Sequence, residues 1–398
     1  MSSTQIGANE DLALENVLRQ IESEPPEGVR ARERNTFDEI AGPFGERLVL
    51  FGAGPLGKGV LAGLRQAGVE PLSFADNNQE LWGKDVSGLL VLSPDDAVRA
   101  YGETACFVVT IYQGSRVRRQ LASLGCRRVS PFVPLLWKYA DIFIPQSGIE
   151  LPHRLVKQCE AVRACHAMLA DDKSRCELRE QLVWRYWLDY SALSPPLDAQ
   201  DTYFPMDLLS PSDDDVFVDC GAFDGDTIRS FNDHWDSAFR HAFAFEPDPE
   251  NRTALSSSVV AKGLGPRVTI MPYAVGNTNG PVSFTCTSSA ASHVTTGESG
   301  AATECRRLDD IEWSFTPTYV KMDIESAEPE ALAGAAELLR QHHPVLAVCT
   351  YHRSEHLWQI PNLIRSIAPE YHLFLRRYAE ECWEGVCYAI PSHRLKRA

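Results

Sequence analysis

Two short apolar runs that break into glycine-rich turns constrain this chain more than any other feature. The first is Leu48-Val49-Leu50-Phe51, followed by Gly52-Ala53-Gly54-Pro55-Leu56-Gly57 and a helical stretch through Gln66. The second is Val216-Phe217-Val218-Asp219, followed by Cys220-Gly221-Ala222-Phe223-Asp224-Gly225-Asp226 and a helix expected from Thr227. A buried strand that turns on glycines straight into a helix opens a crossover unit of a parallel sheet. Two such openings in 398 residues predict two α/β units.

The pattern between and after these openings gives the expected layout. Residues 1–45 are polar, with one amphipathic helix around 10–23. Residues 46–140 form a small Rossmann-like parallel sheet of about four strands, at 48–51, 71–75, 105–111 and 128–131. Residues 141–205 read as a helical layer joining the two units, with Trp184, Tyr186, Trp187 and Tyr190 as its apolar surface. Pro195-Pro196 and the run from Ser210 to Asp215 mark a boundary. Residues 206–398 then carry strands at 216–219, 242–245, 268–273, 319–322 and 345–350, and a final pair at 373–377 and 385–390. That is a seven-stranded doubly wound sheet, interrupted by an irregular Ser/Thr/Gly-rich insertion over 277–302.

Composition removes several function classes. The net charge is -16 and no long Lys/Arg block is present, so a nucleic-acid substrate is not expected. The basic tail of Arg394, Lys396 and Arg397 reads as solvated. Residues 1–10 lack the pattern of a secretory signal, and no apolar stretch has membrane-spanning length. Eleven cysteines lack zinc-ligand spacing and read as reduced, which points to a cytoplasmic protein.

In a doubly wound sheet, ligands bind outside the carboxyl ends of the strands. Asp219, Glu246 and Asp323 all close strands at that edge. Gly221 and Gly225 leave the first turn bare. Glu246 stands where a carboxylate accepts from both ribose hydroxyls, and Asp219 where one reaches the ammonium of an amino acid. Asp224 and Asp226 would repel a pyrophosphate at the helix start. The set fits an adenosyl amino acid better than a dinucleotide. Asp323, Glu325 and His352 are the candidate catalytic residues, with His352 as base because imidazole titrates near neutrality. Glu325 and Glu328 serve equally well as helix caps, and His352 as a structural histidine. A divalent metal held by Asp323 and Glu325 is compatible but not favoured. Ser288, Ser289, Ser292 and His293 in the insertion are candidates for an acceptor lid.

The second half resembles the FkbM-type family of S-adenosylmethionine-dependent methyltransferases. The resemblance runs through the segment from Val216 to Thr227, Phe245-Glu246-Pro247, Ala274-Val275-Gly276, and Val320-Lys321-Met322-Asp323-Ile324-Glu325-Ser326-Ala327-Glu328, and continues from Cys349 to Tyr388. It implies S-adenosyl-L-methionine as cofactor, bound by Asp219, Gly221, Ala222, Gly225, Thr227, Glu246, Pro247 and Ala274. It also implies methylation of a hydroxyl on a sugar or small secondary metabolite. Cys220 stands where the family often has Val, and Ser326, where Gly is frequent, is expected to stiffen its turn.

In the first half, Gly52, Gly54 and Gly57 follow a strand and open a helix, and Asp76 closes the next strand. This arrangement reads as a nucleotide-binding unit, and it resembles the small Rossmann-like units that precede some sugar-modifying enzymes. A nucleotide-linked acceptor is then expected. A sheet of one mononucleotide half would argue against a nicotinamide. Alternatives are a fold retained for packing or dimerisation, a homo-oligomer being compatible with either, an NAD(P)-dependent oxidoreductase or epimerase, and a non-catalytic assembly protein. The missing Tyr-x-x-x-Lys pair counts against the oxidoreductase, and the intact Asp219, Glu246 and Asp323 against the assembly protein. The part from 206 onward is expected to bind the cofactor by itself.

Overall fold

A computed structural model describes residues 3–145, 148–285, 293–295 and 301–396. In the first half, β1 (Leu48–Phe51), β2 (Ser73–Ala75), β3 (Asp85–Val86), β4 (Leu89–Leu92), β5 (Cys106–Val109) and β6 (Val129–Pro131) form one sheet in the order β3-β4-β2-β1-β5-β6. Every pairing is parallel except the hairpin β3–β4. The sheet is therefore larger than the four expected strands. The missed hairpin turns on Ser87 and Gly88, both left-handed, and β4 alternates buried Leu89 and Val91 with exposed Leu90 inside a uniformly apolar run. Two parallel strands flank β1 on each side, so sheet size no longer argues against a dinucleotide.

The second half adds β7 (Val216–Cys220), β8 (His241–Phe245), β9 (Val268–Met271), β10 (Ala274–Val275), β11 (Gly280–Thr285), β12 (His293–Thr295), β13 (Ala301–Arg306), β14 (Tyr319–Met322), β15 (Val345–Cys349), β16 (His372–Arg377) and β17 (Gly385–Ile390). Seven of them form the main sheet, in the order β16-β17-β15-β14-β7-β8-β9. Only β17 runs against its neighbours, pairing antiparallel with β15 and β16. The strand order reverses between β7 and β14, where Asp219 pairs in register with Lys321 and Cys220 with Met322. The carboxyl ends of these two strands thus form the crevice expected to hold a ligand. The insertion is not irregular throughout: β10 to β13 make a small four-stranded sheet beside this edge. Ser288, Ser289 and Ser292 lie outside the described residues, and of His293 only the backbone is described.

The helices redraw the expected division of the chain. Leu14, Leu18 and Ile21 of the helix Ser3–Ser23 are buried with Val218, Phe243, Val320 and Leu346 of the second sheet. The N-terminal segment is thus part of the second half's core, and a second helix, Pro26–Ala41, packs Phe37 and Ala41 into the first. The helix Asp172–Trp187 serves both: Leu178, Leu182 and Tyr186 enter the second core, and Trp184 enters the first.

A loop over 378–384, between β16 and β17, crosses to the first half. Trp383 meets Tyr112 edge-on with ring centroids 4.7 Å apart. Glu380 accepts from the Ser115 backbone N–H at 3.0 Å and from its hydroxyl, and Arg118 pairs with Glu381 at 2.9 Å. Arg394 is not a solvated tail residue, since it holds buried Asp215 bidentately at 2.7 and 2.9 Å. No helix of the described residues is long and apolar enough to cross a membrane, and ten described cysteines are free.

Candidate active site

The glycine turn after β7 is shaped by what lies beneath it. Gly221 has φ +83°, and a Cβ there would stand 2.0 Å from the Asp323 carbonyl oxygen. Only glycine lets the end of β7 pass so close to the end of β14. Gly225, at φ 85°, precedes the helix Asp226–His234, whose first turn carries buried Thr227, while Ala222 is buried in the turn itself. Lys321 Nζ donates to the Gly221 carbonyl at 2.8 Å and pairs with Asp219 Oδ1 at 2.9 Å. Asp219 is 0% exposed. Burial pushes its carboxyl up to about 6 against the pull of Lys321. The expected ammonium ligand of the cofactor is therefore first an internal ion pair, although its oxygens complete no hydrogen bond.

Glu246 ties the second strand to this turn. Its Oε2 accepts from the Phe223 N–H at 2.9 Å, and its Oε1 from the Asp248 N–H at 2.8 Å. Burial raises its pKa, and these two N–H groups oppose the rise. Pro247 leads into Asp248, which caps the helix Pro249–Ala261. Ala274 sits in β10, paired with Cys305 of β13, at the root of the small sheet.

Asp323, Glu325 and His352 do come together, and Glu328 joins them. His352 Nε2 lies 3.2 Å from Asp323 Oδ1 and 3.7 Å from Glu325 Oε2, while Nδ1 lies 2.8 Å from Glu328 Oε1. Glu328 Oε1 also accepts from the Ile324 N–H at 3.0 Å, so this residue ties the turn before its helix to the imidazole, and the helix itself has no side-chain cap. Tyr203 donates to Asp323 Oδ2 at 2.7 Å, and Tyr351 reaches Oδ1 at 3.4 Å. Burial would depress the His352 pKa, but Glu328 and Asp323 hold it well above the ordinary value. For Asp323, burial is overcome by His352 and Lys321, which keep the carboxyl well below the ordinary range. The His352 side chain is 2% exposed, and its two ring nitrogens face Asp323 and Glu328 rather than solvent.

Glu325 and Ser326 carry the turn on left-handed backbone, at φ 53° and 86°. Serine there is strained where glycine would be at ease. Ser326→Gly is expected to stabilise the fold by about 0.5–1 kcal/mol, the left-handed penalty less the entropy of a freed glycine. A denaturant midpoint that falls instead would show that Ser326 side-chain contacts outweigh the strain.

Residues 219–382 match the family described as the methyltransferase FkbM domain. The chain carries an FkbM methyltransferase domain. Its enzyme class is accordingly S-adenosylmethionine-dependent methyltransferase. A methyltransferase FkbM from Methylobacillus flagellatus KT is 22% identical, with a TM-score of 0.74 over 98% of this chain and 100% of its own. At that identity the likeness establishes a common fold, and it extends through both sheets. A precorrin-6y C5,15-methyltransferase from Geobacter metallireducens GS-15 is 15% identical over 46% of this chain and 84% of its own, with a TM-score of 0.30. An rRNA methylase from Streptococcus thermophilus is 9% identical over 46% of this chain and 90% of its own, with a TM-score of 0.31. No curated protein matches the sequence.

Outside the FkbM domain, the first glycine loop is well formed. A Cβ on Gly57 would stand 1.8 Å from the Gly52 carbonyl oxygen, so Gly57 serves helix–strand packing. Gly54 has open space above it. Asp76 is already occupied, accepting from the Ala53 N–H at 2.8 Å and from the Asn78 N–H at 2.8 Å. Among residues the sequence did not single out, Lys321, Tyr203 and Glu384 stand at the FkbM site. Burial, and then Asp323, push the Glu384 carboxyl up to about 7. Lys321 had a visible signal, as a lone lysine inside the apolar strand Tyr319–Met322. Tyr203 and Glu384 reach the site from loops and had none.

Proposed function

We propose that the enzyme methylates a hydroxyl of a sugar, nucleotide-sugar or small secondary metabolite. The observation that carries this reading is the opening above β14. Asp323 and Glu325 have side chains 24% and 26% exposed, above a bed of buried His352, Glu328 and Lys321. Partly open carboxylates suit a hydroxyl nucleophile, since they accept its hydrogen bond and orient its oxygen. Asp323 stands directly against the glycine turn, because a Cβ on Gly221 would lie 2.0 Å from its carbonyl oxygen.

The residues fit S-adenosylmethionine. Glu246 offers a carboxylate fixed by two backbone N–H groups, the turn gives a bare approach, and the buried Asp219 oxygens lack hydrogen bonds. When bound, this cofactor supplies an electrophilic methyl group. Asp323, clamped by Tyr203 and His352, orients the acceptor oxygen for in-line approach, where geometry governs the rate. Substitution Glu246→Gln removes a charged acceptor worth about 1.5–3 kcal/mol per bond. Calorimetry on the full chain is expected to show S-adenosylmethionine binding weakened at least about ten-fold. Unchanged affinity in a folded variant would remove Glu246 from ribose recognition.

The same reading places a nucleotide carried by the acceptor at the first glycine loop. What supports it is the loop over 378–384, which brings the carboxyl edge of the first sheet, at Tyr112 and Ser115, against the edge that holds the FkbM site. Transfer of labelled methyl to a panel of nucleotide-sugars tests the substrate class. Thermal shifts with NAD, NADP and the same panel test the loop. Stabilisation by NAD alone would overturn the nucleotide-sugar assignment.

A further inference from the structure

We propose that His352, Asp323 and Glu325 form a site for one divalent transition-metal ion, with Glu328 as the outer carboxylate that orients the histidine. Its existence does not depend on the methyl-transfer reading, although its consequence for the acceptor hydroxyl rests on that reading.

The two ring nitrogens of His352 are in different situations. Nδ1 is 2.8 Å from Glu328 Oε1, and Glu328 is itself fixed by the Ile324 N–H at 3.0 Å. A carboxylate in that place holds the proton on Nδ1 and leaves Nε2 as the donor atom, as it does behind metal-bound histidines generally. Nε2 is buried and completes no hydrogen bond among the described residues. It nevertheless points between two carboxylates, at 3.2 Å from Asp323 and 3.7 Å from Glu325. Donor atoms about 2.0–2.2 Å from a common ion stand roughly 3–3.5 Å from one another. The observed spacings are close to that.

Charge points the same way. Asp323, Glu325 and Glu328 lie around His352, Glu328 also faces His356 Nδ1 at 3.4 Å, and Lys321 is committed to Asp219. Carboxylates grouped this closely favour a cation between them. An imidazole with two carboxylates suits manganese, iron, cobalt or zinc better than magnesium or calcium, which take oxygen donors. Since Asp323 and Glu325 are partly open, one side of the ion would remain free for an oxygen of the acceptor, whose pKa it would lower.

The test uses the full chain, stripped with a chelator and titrated with Mn2+, followed by calorimetry and by the electron paramagnetic resonance of free Mn2+. The expected result is one saturable site, with Mg2+ competing at least ten-fold less well. His352→Gln and Glu325→Gln are expected to raise the Kd at least ten-fold, and Glu328→Gln by about ten-fold, the usual size of an outer-shell effect. Circular dichroism checks the fold of each. Should His352→Gln fail to fold, the partly open Glu325→Gln still decides. Absence of saturable binding up to millimolar Mn2+, or binding indifferent to Glu325→Gln, overturns the site. S-adenosylmethionine binding measured in parallel without metal keeps the two readings apart. A chain that binds Mn2+ but not the cofactor would retain the ion site and lose the proposed reaction.

Discussion

Replacing Lys321 by methionine is expected to lower folding stability by about 3–5 kcal/mol, the range for removing one partner of a buried ion pair. Asp219 has no exposed surface and pairs with no other cation among the described residues, so the variant must bury a lone carboxylate or protonate it. Its carboxyl is already pushed up to about 6 with the lysine present. Without Lys321 that value rises further, so folding takes up a proton over a wider range. The deficit is therefore smallest below about pH 4, the ordinary range for a free aspartate, and grows as pH rises through and beyond 6. Chemical denaturation at pH 5 and pH 8 measures it. The double variant Asp219→Leu with Lys321→Met is expected to recover most of the loss, because neither charge is then stranded. Cofactor affinity is expected to fall in the single variant too, since Lys321 also holds the Gly221 carbonyl. A single variant that unfolds at the wild-type midpoint at both pH values would show that the pair does not bear on stability.

The second large effect concerns truncation. A chain beginning at residue 206 is expected not to fold cooperatively, contrary to the reading of 206–398 as self-sufficient. The cut removes Leu14, Leu18, Ile21, Leu178, Leu182 and Tyr186 from one continuous core with Val218, Phe243 and Val320. Each such side chain contributes about 1.5–3 kcal/mol on burial. Six of them amount to roughly 10 kcal/mol, comparable with the whole stability of a typical domain, about 5–15 kcal/mol. The fragment should bind a hydrophobic dye and lack a sharp thermal transition. A soluble fragment with a sigmoidal melt and retained S-adenosylmethionine binding would restore the boundary near 206.

What could be read from the chain and what could not divide along a physical line. Parallel strands are buried on both faces and therefore stand out as uninterrupted apolar runs, as in Val216–Cys220 and Val345–Cys349. Their ends are marked by the first polar residue, which is why Asp219, Glu246, Asp323 and His352 were visible as one edge. The partnerships at that edge were not visible. His352 meets Glu328 across 24 positions and Lys321 meets Asp219 across 102, and neither pairing leaves a local periodicity. Asp219 stands out at a strand end as a ligand group, whereas its ion pair with Lys321 is not legible from sequence. The helix Ser3–Ser23 was equally opaque. Its buried Leu14, Leu18 and Ile21 identify an apolar face but not which sheet that face covers. The hairpin β3–β4 escaped notice because a two-residue strand is too short to show alternation.

The helix Asp172–Trp187 has a kinetic consequence. Trp184 and Tyr186 are two positions apart, yet one is sealed in the first core and the other in the second. Swinging the halves apart would extract a full aromatic side chain from one of them. The loop at 378–384 adds Trp383 to the same first core from the opposite direction. Among the described residues the two halves are therefore pinned at two places, and a hinge motion would have to break both packings. On the methyl-transfer reading, exchange of acceptor and cofactor is then expected to depend on local segments at the sheet edge rather than on a clam-like motion of lobes.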